Sequence, residues 1–102
     1  MNIGSLYQTT RYCPLLFPSK ESSIAAVEGG PAPAAVLTVP AWVAAHWSKR
    51  LDCNISYISS NNMFMLLEQT DNFCKILSAE GNVGWIVVHV WYKKYIVEVK
   101  AE

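Results

Sequence analysis

Between Asn54 and Trp85 the chain alternates short apolar runs with turn-forming residues, and this punctuation constrains its fold more than any other feature. Ile55-Ser56-Tyr57 comes first, and Asn61-Asn62 follows as a turn. Met63 to Leu67 is apolar, Glu68 to Asn72 is a polar break, Phe73 to Leu77 is apolar again, and Glu80-Gly81-Asn82 turns the chain into Val83 to Trp91. Short apolar runs bounded by Gly, Asn and Asp read as consecutive strands joined by tight turns. The expected unit is a meander, with the alternating Ile96-Val97-Glu98-Val99-Lys100 as a terminal strand.

The rest of the chain narrows what such a unit can do. Its 102 residues suffice for one small domain. Eight basic and eight acidic residues give zero formal net charge, which removes the electrostatic footprint of a nucleic-acid binder. The longest stretch without an ionisable residue, Gly29 to Ala45, is interrupted by Pro31, Pro33 and Pro40 and cannot be a single spanning helix. Arg11, Pro14 and Pro18 surround the early apolar patch Leu15-Leu16-Phe17, so no secretory signal is read there. Cys13, Cys53 and Cys74 have no CxxC spacing and form an odd set, consistent with reduced thiols in the cytoplasm.

Chemistry finds little footing in these residues. His46 and His89 both sit in apolar neighbourhoods, and a Cys74–His89 pair would lack the local signature of a nucleophile with its base. The His and Cys positions show no metal-ligand spacing. Gly29-Gly30 runs into Pro31 without the Lys and helix start of a phosphate loop. The expectation is a protein that is not an enzyme and takes no cofactor or metal.

Residues 1–40 are expected to be a flexible leader and linker, mostly irregular. Tyr7, Tyr12 and Phe17 lie among Thr, Ser and Pro without period. Ser22 to Glu28 allows at most two helical turns before Gly29-Gly30, and Pro31-Ala32-Pro33 is linker-like. The domain proper is expected over 41–102. At its start Ala41 to Leu51 admits two readings. Pro40 ahead of it and Lys49-Arg50 at its end suit a helix, whereas Trp42, Val43 and Trp47 suit a strand.

Three pieces resemble a Src-homology-3 (SH3) domain over about residues 43–91. Asn54-Ile55-Ser56-Tyr57 looks like the family's step out of its first long loop. Met65 to Asp71 looks like its second strand and acidic loop, and Gly84-Trp85-Ile86 like its Gly-aromatic-Ile step. The resemblance implies an all-β fold, a small SH3-like barrel of about five short antiparallel strands. It also implies a partner-binding groove in which aromatic walls receive an extended proline-rich ligand and acidic residues pair with a basic one. Position by position, Trp47 falls at an aromatic wall on the family's opening strand, and Phe73 at the leading Trp of its Trp-Trp pair. Asp52 and Asp71 fall in the acidic loops. Ala45, Val87 and Val90 stand where the family has groove tyrosines and a proline, so the proline-peptide groove is partly lost.

Independently of the family, Val83, Trp85, Val87 and His89 alternate with Gly84, Ile86, Val88 and Val90, and both sets are mostly apolar. A strand apolar on both faces needs cover on its second side, from the leader, from the terminal strand or from another chain. The expected partner surface therefore comprises Trp47, Asp52, Asp71, Phe73, Trp85, Val87 and Val90. The expected function is that of a non-enzymatic interaction module in a cytoplasmic adaptor or scaffold, with a protein or peptide ligand. The alternatives are a small-barrel nucleic-acid binder, for which Trp47, Phe73, Trp85, Trp91 and Tyr92 would offer stacking surfaces, and a structural subunit of a larger assembly.

Overall fold

The computed structural model describes residues 2–10, 13–28, 40–88 and 95–100. In chain order the elements are β1 (Leu6–Thr9), β2 (Leu15–Leu16), α1 (Lys20–Glu28), α2 (Pro40–Leu51), β3 (Ser56–Tyr57), β4 (Met63–Thr70), β5 (Phe73–Ser78), β6 (Val83–Val87) and β7 (Ile96–Val99). Five of the strands form an antiparallel sheet in the order β6-β5-β4-β1-β7, and β2 pairs with β3 in a two-stranded ribbon. The fold is small and β-rich, with two helices where an all-β chain was expected.

The meander is where the punctuation puts it, but its first polar break is shorter in space than in sequence. β4 continues through Glu68, Gln69 and Thr70, taking up the slack in a bulge between Leu66 and Glu68. Asp71 and Asn72 alone then make the turn, and Asp71 carries φ 52°, the positive value that primed hairpin turns require. The β5–β6 connection uses a different device. Gly81 N–H donates to the Ser78 carbonyl at 3.0 Å and Ser78 N–H to the Asn82 carbonyl at 2.8 Å. Gly81 has φ 88°, as a three-residue loop closed by a left-handed glycine demands.

Both helices begin and end on recognisable chemistry. Ser19 caps α1: its hydroxyl accepts the Ser22 N–H at 3.1 Å and its own N–H donates to the Ser22 hydroxyl at 3.2 Å, a reciprocal capping box. α2 opens on Pro40, where the missing N–H costs no intrahelical bond. It ends with Asp52 at φ 52° and Cys53 N–H donating to the Ser48 carbonyl at 3.1 Å, the left-handed closure that satisfies an orphan carbonyl. Tertiary packing selects helix over strand for this segment, because Ala44 and Trp47 fall on one helical face and are both buried.

The sheet divides the apolar residues into two cores. On one face Phe64, Leu66, Cys74, Ile76, Ile86 and Val88 meet Tyr7, Leu16 and Ile58. On the other, at the β5–β6 end, Phe73, Trp85 and Val87 are covered by Leu15, Phe17 and Ile55 and by Ala26 and Ala44 from the two helices, with Trp47 beside them. Each fully buried side chain of Leu or Phe size contributes about 1.5–3 kcal/mol relative to exposure.

Two expectations are corrected here. Within the stretch expected to be an irregular leader, the described segments 2–10 and 13–28 carry two strands and a helix. Leu6–Thr9 lies inside the sheet, with Tyr7 opposite both Phe64 and Glu98, and Leu15, Leu16 and Phe17 are buried. The opening strand assigned by resemblance to the neighbourhood of Trp47 is helical, and the strand flanking the meander is β1.

Candidate functional site

Of the expected partner-surface residues, Trp47, Phe73, Trp85 and Val87 lie together in the second core. Trp47 is 7% and Val87 4% exposed, and Phe73 and Trp85 are half-buried against the same cluster. Phe73 and Val87 are cross-strand partners. The rings that would wall a peptide groove instead pack into the chain's own core, Trp47 from α2 and Phe73 and Trp85 from the sheet, with Ala26, Ala44 and Phe17. This is the cover that an apolar strand on both faces demanded, and residues from the supposed leader supply part of it.

The acidic positions are separate from that cluster. Asp52 and Asp71 are exposed, each at a positive φ that closes a turn, which Asp tolerates better than most residues. Val90 lies outside the described residues. The cations near the rings belong to helices. Arg50 stacks 5.1 Å from the Trp47 ring centroid and Lys20 sits 5.8 Å from that of Trp85, within cation–π range. Lys75 reaches Glu68 at 3.7 Å across β4 and β5, an exposed pair of small energetic weight.

Among the described residues no group of three or more His, Cys, Asp or Glu side chains is arranged to hold a metal ion. His46 is exposed on α2 with its ring edge-on to Trp47, centroids 5.9 Å apart. Cys13 and Cys74 are buried, and burial pushes the Cys53 thiol up from its ordinary pKa, with the neighbouring Asp52 carboxylate adding to the rise. That direction favours a protonated, unreactive sulfur. His89, the other half of the Cys–His pair considered from sequence, lies outside the described residues.

The surface that sequence reasoning missed is on the sheet itself. The registers align one residue from every strand in a single row: Val99 opposite Leu6, Leu6 opposite Met65, Met65 opposite Leu77, and Leu77 opposite Val83. Met63 and Val97 lie on the same face two residues along. Val83 is 54%, Val97 50%, Met63 41% and Leu6 39% exposed. An apolar row of this extent on a solvent face is the kind of patch that marks contact with another surface. The alternation of Met63, Met65 and Leu67 carried the signal, but only the pairing of five strands assembles it. No helix among the described residues is long and apolar enough to cross a membrane. No family model, curated protein or solved structure matches the chain.

Proposed function

We propose that this chain is a non-enzymatic protein–protein interaction module whose contact surface is the apolar row Val99-Leu6-Met65-Leu77-Val83, in place of an aromatic peptide groove. The observation that carries the reading is the alignment of that apolar row across all five strands, with Leu6 and Val83 exposed and Met65, Leu77 and Val99 half-buried between and beside them. Apolar area removed from water contributes roughly 25 cal/mol per Å², so a face of this kind gains by docking on a partner of complementary shape. An SH3-like arrangement is supported by the three-stranded meander flanked by the first and last strands, with α1 and α2 in the long connection between β1 and β4. α1 and α2 in that connection, with Trp47 on α2 itself, pack on Phe73, Trp85 and Val87, which fits a module without an open proline-peptide groove. The burial of the free cysteines Cys13 and Cys74 fits service in a reducing cytoplasm as an adaptor or scaffold component.

The test compares partner capture by the full chain with capture by a Leu6→Lys/Val83→Lys variant, whose two changes fall on exposed positions. Proteins retained by the wild type and lost by the variant support the reading. Identical retention by both, with both folded by circular dichroism, overturns it. Titration with a proline-rich peptide is expected to leave the amide shifts of Trp47, Phe73 and Trp85 unmoved.

A further inference from the structure

β7 is the outermost strand at its end of the sheet among the described residues, and its register with β1 identifies the backbone groups it leaves over. Thr10 N–H donates to the Tyr95 carbonyl at 2.7 Å, so Thr10 and Tyr95 are a hydrogen-bonded pair. Alternation along an antiparallel ladder places Gln8 with Val97 and Leu6 with Val99 in the same class. The N–H and C=O groups of Ile96 and Glu98 therefore point away from β1, and the same alternation carried one residue past the strand gives Lys100 that direction. A row of such groups is a template for another strand.

We infer that the strand accepted there is β7 of a second copy of this chain, antiparallel about a two-fold axis at Val99. An isologous pairing must set outward-facing residues opposite one another, which leaves few registers. Centring the axis on Glu98 opposes two carboxylates, a destabilising arrangement. Centring it on Val97 sets Ile96 opposite Glu98 and gains no charge pair. Centring it on Val99 sets Glu98 opposite the second copy's Lys100 twice, and brings the two Val99 side chains together as a close pair.

Charge complementarity thus selects one register, and the apolar residues agree with it. Val99, half-buried, belongs to the apolar row, so the row runs without a break from Val83 of one copy, through the paired Val99 residues, to Val83 of the other. Glu98 keeps its own-chain neighbours in this arrangement, since Asn2 Nδ2 at 3.4 Å and the Tyr7 hydroxyl at 3.5 Å approach it from within the same copy. The inference rests on the edge of the sheet and not on the face proposed for a partner protein. A monomeric chain that still captures its partner would separate the two.

Sedimentation of the full chain from about 10 μM to about 1 mM covers the affinities expected of a small edge contact. The expected result is a rise from the 11.4 kDa monomer toward twice that mass. Glu98→Pro removes an outward N–H while leaving the bonds of Val97 and Val99 to β1, and is expected to abolish the rise. Lys100→Glu, at an exposed position beyond the strand, sets like charges opposite one another twice and is expected to weaken association about tenfold or more. Glu98→Lys/Lys100→Glu restores both pairs with reversed sign and is expected to recover association. A chain monomeric at about 1 mM overturns the inference, as does a dimer that Lys100→Glu leaves unchanged.

Discussion

Phe17 and Trp85 exchange two backbone hydrogen bonds, each 2.8 Å long, and this bridge joins the β2–β3 ribbon to the edge of the five-stranded sheet at β6. It fixes the position of the ribbon over the second core, with Phe17 1% exposed beside Trp85. The approach is close enough to set a constraint on the residue next door.

Gly84 is that residue. A Cβ added there would lie 2.7 Å from Leu16 Cδ1 and 2.9 Å from the Phe17 carbonyl oxygen, the same oxygen that accepts the Trp85 N–H. Leu16 can turn aside, but the carbonyl cannot move without loosening the bridge. Gly84→Ala is expected to destabilise by about 1–3 kcal/mol, the usual cost of overpacking, in equilibrium denaturant unfolding. A neutral result would mean that the ribbon does not press on β6.

β1 supplies the second prediction. Tyr7 is 4% exposed and pairs with strands on both sides, so its amide is expected to exchange as slowly as those of Leu66 and Ile76. A fragment restricted to 41–102 loses this strand along with Leu15, Leu16 and Phe17, and is expected to show the poor amide dispersion of an unfolded chain. A well-dispersed spectrum from that fragment would restore residue 40 as a domain boundary.

Ser48 ties the end of α2 to the chain that follows. Its hydroxyl donates to the Ala44 carbonyl at 2.7 Å and accepts the Ile55 N–H at 2.9 Å, and Ile55 is 5% exposed. Ser48→Ala leaves a donor beside a buried residue without its acceptor. The expected loss is about 1–2 kcal/mol, read as a shift of the denaturant midpoint without a change in slope.

Cys53 predicts a pH dependence. Burial raises its pKa first and the Asp52 carboxylate second, so the folded chain holds the thiol proton to higher pH than the unfolded chain does. Stability is full below the unfolded thiol's pKa and falls as pH rises from there through the folded value, because unfolding then releases a proton. Cys53→Ser is expected to flatten this alkaline decline. Asp52→Asn, which Asn tolerates at φ 52°, is expected to shrink it, and thiol alkylation on the native chain should accelerate accordingly. An unchanged alkaline profile in both variants would overturn this assignment.

How much of this was legible beforehand follows the range of the interactions involved. The meander was readable from Asn61 to Trp85 because each turn and each apolar run is written locally, in the polar break Glu68 to Asn72, of which the structure keeps only Asp71-Asn72 as the turn, in Glu80-Gly81-Asn82 and in the alternation between them. The helix at Pro40–Leu51 was readable only as one of two options, since Pro40, Lys49 and Arg50 favour it while Trp42 and Val43 do not, and the burial of Ala44 and Trp47 against Val87 decided it. The need of β6 for cover on both faces was also written in its residues.

Local residue chemistry set the punctuation: strands where apolar runs alternate, turns where Asp, Asn and Gly tolerate positive φ, and a turn or two of helix over Ser22 to Glu28, whose cap at Ser19 the structure supplied. Tertiary structure alone decided that Leu6–Thr9 belongs in the sheet, because four residues carry too short a pattern to reveal a strand and their pairing with Met63 to Met65 closes a loop of the whole intervening chain. It also decided that Trp47 and Phe73 pack inward and that Leu6, Met65, Leu77, Val83 and Val99 line up outward. A side chain's type is local, but the face it occupies depends on which strand or helix lies against it.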